Sequence, residues 1–334
     1  MFLKIIDDAE SVRKNRNRLL RCLRPHMDER ISVRLGHMGA SRTSQILWSE
    51  QLGIWMSYEK AGGTHFNHAF GVGRPQPGSI LSSACEINIP ANGIDRRMGG
   101  AFARDCKNQV FLVHRGKIGG GRKGVGKSLF DSHYRGVWAL MDDGDQESVV
   151  AVIGLLKSDR FPRQLAHFVH KIEQVKSRAA TPSPQALLSF GEVSFREEFT
   201  GSRQGELFRD MAALCDQGIV LRDLSQALKA LGRRVANDPF RDLFIVDTKD
   251  RIKALFHIRT DVQPITLQEG ATQLLLQSLN IPHRTRLFLV LPASPEADIV
   301  TRLSKKNVET LVYHWQAGKA DFPDLASLLS GGAL

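Results

Sequence analysis

The sequence predicts an α/β (α+β) protein of two domains, and three observations carry that expectation. The second half alternates helix-like and strand-like segments, which is how a mixed sheet flanked by helices is written. Residues 177–189 are small and polar and carry Pro182 and Pro184, the texture of a linker. The charge is also divided between the halves. The chain has 334 residues and a net charge of +11; residues 1–180 hold 28 Lys+Arg against 17 Asp+Glu, and residues 181–334 hold 18 of each. The boundaries that follow are a basic mixed α+β domain at 1–178, a linker at 179–188, and a second, mixed-sheet domain at 189–334.

Composition narrows the function classes. No run of 18 apolar residues exists, so no membrane-spanning helix is expected. The N-terminus turns acidic at Asp7 and Asp8 before a signal-peptide core forms. Cys22, Cys85, Cys106 and Cys215 are far apart and form no C-x-x-C pair, which argues against a zinc knuckle and a disulfide framework. A reducing, cytoplasmic setting is expected. A basic half without a basic partner half points to a polyanion. Nucleic acid comes first, because Lys and Arg gain affinity by releasing phosphate counterions; a surface that only aids solubility is the alternative.

The elements follow in chain order. Asp7–Leu23 predicts a helix crowded with Arg13, Lys14, Arg16, Arg18, Arg21 and Arg24 and stopped by Pro25. Ser44–Glu59 predicts a second helix, built on Ile46, Leu47, Trp48, Leu52, Ile54, Trp55 and Met56. Ser83–Ile89 and Val110–Val113 predict strands. Glu86, Asp95, Asp105, His114 and Lys117, joined by His65 and His68, are pocket candidates, although H-x-x-H alone fixes no metal geometry. Phe66, Phe70, Tyr134 and Trp138 are expected in the core. Ser148–Leu156 predicts a strand and Arg163–Val175 a helix.

Between them lies a glycine-rich basic stretch, His114 to Ser128. Its exposed backbone N–H groups and neighbouring cations make a phosphate cradle, with Arg115, Lys117, Arg122, Lys123, Lys127 and Ser128 as the candidate nucleic-acid or phosphate contacts. Residues 121–128 also match G-x-x-x-x-G-K-S, in which Lys127 would reach nucleotide phosphates and Ser128 a magnesium ion. The context fits only in part. Seven residues separate strand residue Val113 from Gly121, and the segment after the loop, Leu129–Leu140, carries Gly136. A P-loop NTP-binding enzyme is therefore carried as an alternative.

The second half predicts helices at Glu206–Cys215 and Leu221–Leu231, then strands Asp242–Asp247 and Ile252–Ile258 joined by a polar turn, Thr248-Lys249-Asp250. Helix Leu267–Leu279, strand Arg286–Leu291, helix Pro295–Ser304 and strand Val308–Tyr313 follow. Asp242 opens the hairpin. Its second strand ends Phe256-His257-Ile258-Arg259-Thr260-Asp261, and Gln273 lies on the next helix.

On those residues, roughly 195–316 resemble the restriction-endonuclease-like, or PD-(D/E)XK, nuclease superfamily. The resemblance implies that Asp242 stands at the metal-binding Asp, His257 at the Glu, Arg259 at the Lys, and Gln273 at the helix Gln; Glu198 matches an upstream helix carboxylate. It implies magnesium as cofactor, held by Asp and Glu while Lys orients the attacking water. The departure is chemical. An imidazole is a poor ligand for a hard cation that prefers oxygen, and Arg259 stays charged and cannot act as a base. The expectation is a nuclease-like domain that has lost catalysis. The alternative is an active magnesium-dependent endonuclease with a rearranged site, in which Asp247 joins Asp242 at the metal, or Asp261 or Lys253 moves in. By analogy, the protein is expected to be a DNA-binding protein of restriction or defence type, with DNA preferred to RNA as partner, no membrane partner, and a homodimer allowed.

Overall fold

A computed structural model describes residues 2–37, 40–58, 63–118, 125–180, 210–281 and 283–330. The fold is mixed α+β, and the chain divides into two compact units. The first holds the described residues up to 180 and the start of a helix as far as Cys215; the second begins at Asp216.

In the first unit the order is β1 (Phe2–Ile5), α1 (Ala9–Leu23), β2 (Glu29–His37), β3 (Ala40–Ser49), β4 (Ile54–Tyr58), β5 (His65–Phe66), β6 (His68–Val72), β7 (Ile80–Leu81), β8 (Cys85–Glu86) and β9 (Ile89–Pro90). Then come β10 (Gly100–Arg104), β11 (Val110–His114), α2 (Lys127–His133), β12 (Val137–Asp142), β13 (Glu147–Leu155), α3 (Phe161–Ala180) and the first turns of α4 (Met211–Ala230).

Two sheets dominate this unit. Strands β1-β10-β11-β13-β12 close into a barrel, with β1 antiparallel to β10 and parallel to β12. Alternation along the strands fills its interior with Leu3, Ala103, Phe111, Val113, Met141 and Val150, against which Met211, Leu214 and Cys215 pack. The opposite faces of β10, β11 and β13 join Phe102, Leu112 and Ile153 to the apolar stripes of α1 and α3. The second sheet runs β7-β2-β3-β4-β6-β8.

Helix α1 starts where Asp8 accepts the Ser11 N–H at 2.8 Å, a standard N-cap. Its buried stripe is Val12, Asn15, Arg16, Leu19, Leu20 and Leu23. Arg13, Lys14, Arg21 and Arg24 are exposed, whereas Arg16 turns inward over the rings of Phe66 and Tyr58.

The helix expected at Ser44–Glu59 is instead the β3–β4 hairpin. Its turn places Gly53 at φ +66° and returns the Gly53 N–H to the Ser49 carbonyl. Ile54, Trp55 and Met56 are all buried because both faces of β4 are covered, so the period-two signal vanishes and the run resembles a helix. Close by, a Cβ on Gly71 would stand 2.3 Å from the Trp55 ring, so the indole lies flat on β6 only because residue 71 has no side chain. The helix considered over Leu129–Leu140 ends at His133, and Val137 already opens β12. Of the linker expected at 179–188, residues 179 and 180 are still in helix α3, and the rest lie outside the described residues.

In the second unit α4 continues to Ala230 as one helix, where two were expected. After it come β14 (Arg234–Ala236), β15 (Leu243–Val246), β16 (Ile252–Ile258), α5 (Pro264–Ser278), β17 (Arg286–Leu291), α6 (Ala297–Ser304) and β18 (Val308–Val312). A small hairpin, β19 (His314–Gln316) with β20 (Lys319–Asp321), and α7 (Leu325–Ser330) close the unit. The sheet order is β14-β15-β16-β17-β18. The first three strands are antiparallel neighbours, and β16, β17 and β18 are parallel. Parallel neighbours need crossovers, and α5 and α6 supply them. One face packs on α4 and α7 through Leu224, Leu228, Leu325 and Leu329. The other packs on α5 and α6 through Leu267, Leu274 and Leu303. Among the described residues no helix is long and apolar enough to cross a membrane.

Candidate functional site

The hairpin β15–β16 builds the first candidate site. Asp242 immediately precedes β15, and register sets Leu243 opposite Phe256, so Asp242 reaches the end of β16 where His257 lies. Asp242 and His257 are both buried, and His257 Nδ1 stands 2.7 Å from Asp242 Oδ2. The same carboxylate oxygen accepts the Ile258 N–H at 3.0 Å. Two residues on, Arg259 is buried too, and its N–H continues the ladder to the Val290 carbonyl at 2.9 Å. Helix α5 passes over it at Gly270, where a Cβ would sit 3.3 Å from Arg259 Cγ and Nε and 2.7 Å from Leu289 Cδ1. A glycine is needed there for the arginine to be covered.

This donor set does not fit magnesium. It offers one carboxylate, with an imidazole and a guanidinium where further oxygens are required. Gln273 does not join the site; it is exposed on α5. Asp247 lies at the far end of β15, five residues from Asp242, roughly 16 Å away by strand rise, so the two cannot share one metal ion. Its carboxylate is engaged locally. It accepts the N–H groups of Lys249 and Arg251 and pairs with the Arg251 side chain at 2.7 Å. Against the opposing effect of burial, those bonds hold it well below the usual carboxylate range. Lys253 leans on Asp247 at 3.8 Å, and Asp261 accepts the Gln263 N–H, so neither moves into the place of His257. Among the described residues no group of three or more His, Cys, Asp or Glu side chains is arranged to hold a metal. Glu198 lies outside the described residues.

The phosphate candidates separate. Arg115 is not a surface contact: it is buried, and its guanidinium stands 3.4 Å from Asp143, itself fully buried. Arg96 completes this group with bonds of 3.1 and 3.0 Å to the two Asp143 oxygens. Those bonds keep the Asp143 carboxyl below its ordinary range. Lys117 is exposed and donates its Nζ to the Arg96 carbonyl. Lys127 and Ser128 are exposed at the start of α2. Arg122 and Lys123 lie outside the described residues.

The pocket candidates separate as well. Asp105 and Asp95 cap turns, accepting the N–H groups of Lys107, Gln109 and Arg97. His68 and His114 are core residues. His68 Nδ1 lies 3.0 Å from the Ile87 carbonyl, and His114 Nδ1 accepts the Gly116 N–H at 3.1 Å. Burial pushes each imidazole from 6.5 down to about 4. The unfolded chain therefore takes up these protons first. Their contribution to stability is complete above pH 6.5 and is lost as pH falls from 6.5 toward 4, at roughly 3 kcal/mol per ring. Urea unfolding followed by tryptophan fluorescence reads this directly, since Trp48, Trp55 and Trp138 all lie in the first unit. The midpoint should fall steeply from pH 7 to pH 4.5, and less steeply in His68→Gln or His114→Gln. Glu86 and His65 behave differently: both line a cavity of about 530 Å³.

Compared with known proteins, the chain matches no family model, no curated protein and no solved structure.

Proposed function

We propose that the protein binds nucleic acid, DNA in the first place, through its first unit, and that its second unit is a nuclease-like domain without catalysis, of the restriction or defence kind. The observation that carries this reading is the hairpin site. A buried Asp242 meets His257 at 2.7 Å with Arg259 beside it, where the PD-(D/E)XK resemblance requires a second carboxylate and a lysine. The mixed sheet, a hairpin followed by parallel strands joined through helices, agrees with that resemblance.

Nucleic-acid binding is supported by the basic excess of residues 1–180 and by the exposed cations Arg13, Lys14, Arg21 and Arg24 on α1 and Lys117 and Lys127 near the two ends of the glycine-rich stretch. Such side chains bind by counterion release, and the affinity falls with salt.

Gel-shift titration of the full chain with labelled duplex DNA, and with RNA of the same sequence, over a salt series tests the reading. Binding with a steep salt slope supports it; no shift of either at low salt removes it. Lys127→Ala should weaken binding modestly and evenly across sequences and reduce the salt slope by about 1. If the chain were instead a P-loop enzyme, the same change would abolish nucleotide binding and leave the DNA titration unmoved.

A further inference from the structure

On the outer face of the barrel two rows of side chains run across the strands, one beside the other. Register sets Phe2 of β1 opposite Leu140 of β12, and Leu140 opposite Val149 of β13. Directly opposed residues share a face, and all three are exposed, at 53%, 42% and 49%. Helices α1 and α3 cover the same outer face at Phe102, Leu112 and Ile153 but leave this apolar row in solvent. Single exposed apolar side chains are ordinary. Three abreast, with a charged row beside them, make a patch of the kind that marks an interaction site.

The charged row lies one step further along the strands. It reads Arg104 of β10, Lys4 of β1, Asp142 of β12 and Glu147 of β13, each opposite the next. Two positive charges are followed by two negative ones, over roughly 14 Å at the spacing of neighbouring strands. Arg104, Lys4 and Glu147 are exposed, and Asp142 is half-buried. Asp142 Oδ1 accepts the Gly144 N–H at 2.8 Å, and Arg104 lies within electrostatic reach of Asp8. Among the described residues no salt bridge engages these four side chains.

A row ordered positive, positive, negative, negative is its own complement when reversed. A two-fold axis lying in the plane of contact, parallel to the strands and between β1 and β12, reverses it. Lys4 then meets the partner's Asp142, Arg104 meets the partner's Glu147, and in the neighbouring row Phe2 meets the partner's Leu140. We propose that two copies of the chain pair through this face as an isologous two-fold dimer. Other occupants fit it less well. A phosphate backbone would meet Asp142 and Glu147 as well as the two cations, and a lipid surface would strip water from all four charges. Two rows on a curved barrel make a contact at the low end of interface sizes, so the dimer forms at about 10 μM protein and not at nanomolar concentration. The pairing does not rest on the nucleic-acid reading.

The test is sedimentation velocity of the full chain, free of nucleic acid, over a concentration series reaching about 100 μM. Wild type should pass from monomer to dimer, and Leu140→Ser should weaken the dimer by about tenfold or more. Two charge variants read the geometry. Lys4→Glu with Arg104→Glu makes the row wholly negative. Asp142→Asn with Glu147→Lys removes its negative charges and keeps an acceptor for the Gly144 N–H. Each should stay monomeric alone, and their equimolar mixture should form a heterodimer that weakens as salt rises. All the substituted side chains lie at the surface, so the urea midpoints should match wild type. The proposal is overturned if wild type stays monomeric throughout, if both charge variants dimerise as wild type does, or if the mixture does not associate. It is overturned too if wild type stays monomeric while Lys4→Glu with Arg104→Glu loses affinity for duplex DNA, since the face would then belong to nucleic acid. Failure of wild type to bind any duplex at low salt would count against the proposed function and leave the dimer result standing.

Discussion

Replacing Asp143 with alanine should destabilise the first unit by about 3–5 kcal/mol, the cost of breaking a buried ion pair by removing one partner. Asp143 is fully buried and serves two arginines, Arg96 at 3.0 Å and Arg115 at 3.4 Å. Arg96 is part-exposed and can return to water. Arg115 is buried and cannot, so its charge is left without compensation. Against a total stability of roughly 5–15 kcal/mol for a domain, such a loss shows as a large fall in the urea midpoint of tryptophan fluorescence. Adding Arg115→Met to Asp143→Ala should recover a substantial part, because the stranded charge is gone. A surface role for Arg115 predicts the reverse: Arg115→Ala would weaken DNA binding and leave the midpoint alone.

The second large effect is at the hairpin. His257→Ala should destabilise the second unit by about 2 kcal/mol or more, since a buried side chain is removed and the buried Asp242 carboxylate loses its 2.7 Å contact with the imidazole. The double change His257→Glu, Arg259→Lys is more informative. It sets two carboxylates in buried contact, which repel unless one is protonated or a cation intervenes. The variant should be less stable than wild type in chelator and should regain stability as magnesium is added, by mass action on the folded state. Wild type should show no such magnesium response. If the double variant ignores magnesium as well, the hairpin is not a lost metal site and the superfamily resemblance fails there.

What was legible in the sequence follows physical lines. Helix α1 with its Pro25 stop, the β15–β16 hairpin and β17 stand out because each is bounded by its own turn chemistry and buries one clear pattern. The β3–β4 hairpin was hidden because β4 is buried on both faces, which erases alternation. The barrel closes through β1, whose partners lie about a hundred residues or more away at β10 and β12, and no local signal announces such pairing. Short β14, the β19–β20 hairpin and α7 were also silent. At the site, Asp242 and His257 are brought together by register, as the superfamily resemblance implied, but Gln273 is not, because α5 turns Gly270 and Leu274 inward and Gln273 outward. Arg115 looked like a phosphate contact because its partner, Asp143, sits on a turn 28 residues later. The cavity was legible only as scattered names: Glu86 and His65 were visible as polar residues near strands, whereas its lining by Ser57 and Ala69 depends on cross-strand register.

The most direct measurement is a single experiment on the full chain with supercoiled plasmid, in which binding and strand cleavage are followed together across a salt series with magnesium present. Salt-sensitive binding with intact plasmid throughout is the expected result. Magnesium-dependent cleavage that Asp242→Asn abolishes would contradict the loss of catalysis, and no binding even at the lowest salt would contradict the nucleic-acid partner.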